Sequence, residues 1–155
     1  MQVRDAAEAL FIACEMEKRA IRLYERALAI FADGSCQEAI RAILVEERHH
    51  LARFSDMGCE TPGFERAQLL AGQAAEVLFS GGLMEAQRKG AFDSVLRLYE
   101  YAAEEEKQAI ARYEEFAEGL RGAASVAFQQ IGMEETGHLK KLNEMIRALS
   151  KNAEE

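Results

Sequence analysis

Two short segments of this chain carry a glutamate three residues ahead of a histidine: Glu47 with His50, and Glu135 with His138. On a helix, residues three apart sit side by side, so each pair can present a carboxylate oxygen and an imidazole nitrogen to the same point. Two further glutamates, Glu17 and Glu106, stand alone in otherwise apolar stripes. Four carboxylates gathered in a helical core would repel, and each would suffer a desolvation cost of several kcal/mol. No lysine or arginine on the same stripes offers compensation. Two divalent cations would cancel the charge of the four carboxylates, and two neutral imidazoles would complete the coordination. Mixed carboxylate and imidazole ligation suits iron or manganese better than metals that prefer thiolate.

The elements that must bring these groups together can be read from the same chain. Proline, the strongest helix breaker, occurs once, at Pro62, and long stretches without it can remain helical. Further breaks fall at Asp33-Gly-Ser35, Gly81-Gly82, Gly90 and Gly119 to Gly122. Four long helices are predicted between them, at about 3–32, 36–57, 92–118 and 123–149. Ser35 is expected to cap the second, and Gly34 to provide a left-handed end for the first. The fold class is therefore all-α, a four-helix bundle forming a single domain, with a connection over about 58–91. That connection is longer than a bundle turn, and a short helix from Phe64 to Phe79 is expected within it. It can run back along the bundle, giving helix directions up, down, down, up.

The stripes advance by three and four residues. The first holds Leu10, Cys14, Glu17, Ile21, Tyr24 and Leu28; the second Ile40, Ile43, Glu47, His50 and Phe54. The third holds Tyr99, Ala102 or Ala103, Glu106, Ala109 or Ile110, Tyr113 and Phe116; the fourth Phe128, Ile131, Glu135, His138, Leu142, Met145 or Ile146 and Leu149. Cys14 and the methionines are read as packing residues. Tyr24 and Tyr113 lie two turns beyond Glu17 and Glu106, either as packed rings with a bonded hydroxyl or in contact with a ligand carboxylate. Glu46 and Glu134 fall off the stripes and are expected on solvated faces, so that Glu46→Ala should be nearly silent. The halves also repeat: Glu17-Lys-Arg-Ala-Ile-Arg-Leu-Tyr24 matches Glu106-Lys-Gln-Ala-Ile-Ala-Arg-Tyr113, and Glu46-Glu-Arg-His-His-Leu51 matches Glu134-Glu-Thr-Gly-His-Leu139. Two copies of a helical hairpin are implied.

Composition limits the alternatives. A formal charge of -8 argues against nucleic acid or an anionic membrane as partner. No apolar stretch has the length of a membrane span, and the N-terminal residues lack a signal-peptide pattern. Three scattered cysteines without Cys-x-x-Cys exclude a rubredoxin-type or zinc-ribbon module and suit a reducing cytoplasm.

Over about residues 5–150, the paired Glu-Glu-x-x-His-Leu and Glu-x-x-Ala-x-x-x-Tyr segments resemble the ferritin-like di-iron carboxylate proteins, and most closely the rubrerythrins. The resemblance implies that Glu47 and Glu135 bridge two irons, that His50 and His138 each bind one, and that Glu17 and Glu106 chelate terminally. It implies an oxidoreductase that reduces hydrogen peroxide or dioxygen. Two departures qualify it. No rubredoxin module is present, so electrons are expected from a separate donor protein. The additional glutamate that rubrerythrins place one turn before the third-helix ligand is Ala103 here, beside Ala102, which leaves a more symmetric, bacterioferritin-like ligand set. The same residues permit a ferroxidase or iron-storage protein, or a metal-binding bundle without turnover. A homodimer is the expected assembly.

Overall fold

The computed structural model describes residues 3–34, 36–58, 62–77 and 82–154. Among them are six helices and no strand: α1 (Ala6–Ile30), α2 (Gln37–Asp56), α3 (Phe64–Val77), α4 (Gly82–Arg88), α5 (Val95–Gly119) and α6 (Gly122–Glu154). The four long helices correspond to the four stripes, and α3 to the helix expected in the connection. The additional short helix α4 follows it.

The helix ends show where local chemistry stops each run. Asp5 caps α1 by accepting from the Glu8 amide at 3.0 Å, and Ser94 caps α5 by accepting from the Arg97 amide at 3.1 Å. Between α1 and α2 the device differs from the expected one. Ser35 lies outside the described residues, Cys36 occupies the N-cap of α2, and it makes no side-chain cap bond. Gln37 instead reaches back, its Nε2 donating to the Leu28 and Phe31 carbonyls at 3.0 and 2.8 Å. Those are end carbonyls of α1 that the helix cannot satisfy itself. Nor does Gly34 provide a left-handed end: α1 closes at Phe31, and the Gly34 amide donates to the Phe31 carbonyl at 2.9 Å. Glycine fits there because a Cβ would sit 3.1 Å from that carbonyl oxygen. A left-handed glycine does follow α2, at Gly58, with φ +89°. At the far end α6 runs to Glu154, past the last apolar stripe position at Leu149, because no glycine or proline interrupts it after Gly137.

Contacts across the bundle give its directions. Tyr24 of α1 meets Glu106 of α5 while Tyr113 of α5 meets Glu17 of α1, so these two helices run antiparallel. Glu46 of α2 meets His138 of α6 while His50 meets Glu134, so this pair is antiparallel too. With the short turn between α1 and α2 and that between α5 and α6, the order is up, down, down, up. The connection packs α3 along α1, where Leu70 and Ala74 are fully buried. Arg66 grips Glu8 through two hydrogen bonds of 2.6 and 2.7 Å, which fastens α3 to the first turn of α1. Ile12, Met16 and Leu23 of α1 are also buried, although none of them lies on the stripe that faces the other long helices.

Packing around the glutamates is tight on both sides. Tyr113, Phe54, Phe128 and Phe116 form an aromatic cluster with ring centroids 5.1–5.6 Å apart. In the first half the repeat-equivalent of Phe116 is Ala27 and that of Phe128 is Ile40, so the two hairpins share a pattern but not a core composition. No helix among the described residues is long and apolar enough to cross a membrane.

Candidate metal centre

Glu17, Glu47, His50, Glu106, Glu135 and His138 come from four helices and are all buried, none more than 4% exposed. Their placement follows from helix geometry. Each sits at mid-helix on the inward stripe, and each His follows its Glu by one turn, so both point into the same layer. His50 Nδ1 lies 3.1 Å from Glu47 Oε2, 3.1 Å from Glu135 Oε1 and 3.8 Å from Glu17 Oε1. His138 Nδ1 lies 2.8 Å from Glu135 Oε2, 3.7 Å from Glu47 Oε1 and 3.8 Å from Glu106 Oε1. The two imidazoles are stacked at 5.7 Å between centroids. The arrangement has an approximate two-fold axis that exchanges the hairpins.

Two groups of potential ligand atoms result: Glu17, Glu47, His50 and Glu135, and Glu47, Glu106, Glu135 and His138. Within each, the atoms lie within 4.8 Å of one another, so each can hold a metal ion. Glu47 and Glu135 belong to both groups.

The sequence reading missed a second layer. Glu46 and Glu134 are about half exposed, as expected of residues off the stripes, yet each reaches across to the opposite helix. His50 Nε2–H donates to Glu134 Oε2 at 2.7 Å, and His138 Nε2–H donates to Glu46 Oε2. This corrects the expectation that Glu46 is a solvated bystander. The signal was present in the repeated Glu-Glu-x-x-His, where the first glutamate recurs as faithfully as the second. What the stripe could not show is that an exposed carboxylate on one helix can seat a buried ring on its neighbour. With Nε2 committed as donor, Nδ1 carries the lone pair and faces the carboxylates.

Tyr24 and Tyr113 also contact the cluster, and again they cross between hairpins. Tyr24 Oη–H donates to Glu106 Oε1 at 2.7 Å, and Tyr113 Oη–H donates to Glu17 Oε1 at 2.6 Å. Burial holds both phenols well above their usual range, so they stay protonated and remain donors.

The charge problem anticipated from sequence is visible in the protonation of the cluster. Burial pushes Glu17 up to about 7. Burial, reinforced by the neighbouring carboxylates, holds Glu47 and Glu135 well above the carboxylate range. Burial also lowers His50, which favours the neutral ring. Within the cluster, three buried atoms have no hydrogen-bond partner: Glu17 Oε2, Glu135 Oε2 and His138 Nδ1. The last two are only 2.8 Å apart but are not aligned for a hydrogen bond. Two carboxylate oxygens and an imidazole lone pair, all acceptors in the metal-binding state, are thus left without a donor. Glu17 belongs to one ligand group, His138 to the other and Glu135 to both, so cations in the two groups would satisfy all three, and the residues present fit a metal.

Comparison with known proteins adds no further constraint: no family model, no curated protein and no solved structure matches this chain.

Proposed function

We propose that the six buried residues hold two iron ions and that the protein is a di-iron oxidoreductase of rubrerythrin-like, ferritin-like type. On this reading it reduces hydrogen peroxide or dioxygen with electrons from a separate donor. The observation that carries it is the pair of four-residue ligand groups sharing Glu47 and Glu135, which is the arrangement two adjacent cations require. In this assignment Glu47 and Glu135 would serve both positions, His50 with Glu17 would complete one, and His138 with Glu106 the other. Ferrous iron bound by these residues would supply the electrons for reduction of the oxidant.

The chain's own residues contribute charge balance, orientation and dryness. The ionised carboxylates offset the cations, so the loaded centre is close to neutral within a low-dielectric interior. Glu134 and Glu46 fix the Nε2–H tautomers of His50 and His138 and aim the Nδ1 lone pairs inward. Tyr113 and Tyr24 hold one oxygen of Glu17 and one of Glu106, which limits rotation of these terminal carboxylates. The apolar packing of Phe54, Ile43, Ile131 and Leu142 keeps bulk water from the layer.

A ferroxidase reading is favoured by one feature. Ala102 and Ala103 are buried where an additional carboxylate would stand, so the ligand set is the same in both halves. Anaerobic titration with Fe(II), followed by rapid mixing with peroxide and separately with air, tests the main proposal. Saturation at two irons per chain and a fast rise of ferric absorbance with either oxidant are expected. Sluggish reaction with both would overturn it, while retention of many irons per chain would favour storage.

A further inference from the structure

We propose that small neutral oxidants reach the centre through a cleft between α1 and α5, whose width is set by Ala20 and Ala109. The inference rests on the functional reading above and deepens it by naming the entry face and its size filter.

The two faces of the centre differ in one systematic way. On α2 and α6 the residue one turn beyond the ligand glutamate is a histidine, His50 or His138. On α1 and α5 the residue one turn beyond Glu17 or Glu106 is an alanine, Ala20 or Ala109. The histidine face is closed, because each ring is held from outside by the carboxylate of Glu134 or Glu46. A surface groove does lie over it, lined by Glu46, His49, Glu134 and Lys141, but it stops at the His138 ring. A molecule arriving that way must first break a histidine–carboxylate bond.

On the alanine face a narrow recess, with room for about one water-sized molecule, lies against the cluster. All four cluster carboxylates line it and neither histidine does. Its remaining walls are Ala20, Ala109 and Tyr113, with the half-buried Glu105 also lining it. The unpartnered oxygens of Glu17 and Glu135 belong to residues that border this space. Any larger side chain at Ala20 or Ala109 would project into it, since both already stand on the inward side with 6% and 4% exposure. An ion entering this buried space would carry the desolvation cost of its charge, and the narrowness disfavours a branched organic molecule. The chemical class that remains is neutral and about two heavy atoms long, which both hydrogen peroxide and dioxygen satisfy.

The test uses nitric oxide, a neutral diatomic, with protein loaded anaerobically with Fe(II). Its association is followed by stopped-flow absorbance, which reads binding and not turnover. Ala109→Leu and Ala20→Val should still take up wild-type amounts of iron but bind nitric oxide about tenfold more slowly or worse. Gly137→Ala, which narrows the opposite groove, should leave the rate unchanged. Unaltered association in both alanine variants, or slowing in Gly137→Ala alone, would overturn the proposal. If the bulky variants fail to load iron, Ala109→Gly decides: it should speed association about threefold, and an unchanged rate would overturn the assignment. Wild-type protein that binds nitric oxide through this cleft yet ignores peroxide and dioxygen would remove the oxidoreductase reading and leave the port in place. Oxidant reactivity that is indifferent to Ala20 and Ala109 would do the opposite.

Discussion

At Glu46 and Glu134 an exposed carboxylate is bonded to a buried ring, and the worth of that bond lies in the orientation it gives to Nδ1. Partners of this kind change metal affinity by about 10–100-fold when removed. Glu46→Ala is therefore expected to weaken divalent-metal binding by about that factor while leaving the fold intact, as read by competition with a chelating dye. Wild-type affinity in both Glu46→Ala and Glu134→Ala would show that packing alone orients the rings. Glu47→Ala and His50→Ala go further and should abolish loading of at least one metal, measured as metal per chain after desalting. Tyr113→Phe removes the donor from Glu17 Oε1. Leaving a buried carboxyl oxygen without its donor costs about 1–3 kcal/mol, which denaturant titration in chelator should detect. The deficit should shrink once metal is supplied, because a cation then bonds the same carboxylate.

Single elements carry their own liabilities, and the long connection is the clearest. α3 is fastened to α1 by the Arg66–Glu8 ion pair, and the Arg66 guanidinium holds the Glu8 carboxyl down at about 2, against an ordinary 4.5. A lowered carboxyl pKa means that folding is assisted by ionisation above the ordinary value and loses that assistance as pH falls through the lowered one. Wild type should therefore exceed Glu8→Gln in Tm at pH 7, with the difference closing as pH drops from about 4.5 toward 2. A constant difference across that range would show that Glu8 acts through packing. The turn between α1 and α2 depends on Gln37, whose amide satisfies two end carbonyls of α1. The sequence pointed to Gly34 for ending α1 because glycine dominates helix C-termini statistically. A longer side chain on the following helix reached the carbonyls instead, which local preference alone does not encode.

For the molecule as a whole, the buried carboxylates make metal and pH interchangeable stabilisers. Glu17, Glu47 and Glu135 are all raised on folding, chiefly by burial, so the folded metal-free chain retains protons that the unfolded chain releases above about 4.5. Stability must then fall as pH rises, and for Glu17 the loss is developed by the time pH passes about 7. In chelator, Tm should decline between pH 5 and 8, as measured by thermal circular dichroism. Divalent iron or manganese, binding only the folded form, should raise Tm most at the alkaline end. A Tm in chelator that rises over this range would mean that the cluster is not the dominant titrating feature of the fold.

The sequence by itself determined the long helices, the inward stripes and the six residues on them. Helical periodicity is local, and a charged residue at a core position is conspicuous wherever the helix lies. Repetition of Glu-Glu-x-x-His and of Glu-x-x-Ala-x-x-x-Tyr also announced that the two hairpins serve one centre. Only the tertiary structure decided which residue touches which. Tyr24 serves Glu106 and not Glu17 of its own helix, and Glu46 serves His138 and not His49 or His50. Antiparallel packing of α1 on α5 and of α2 on α6 crosses these partners between hairpins, and such crossing depends on distances between helices that no spacing along one chain contains.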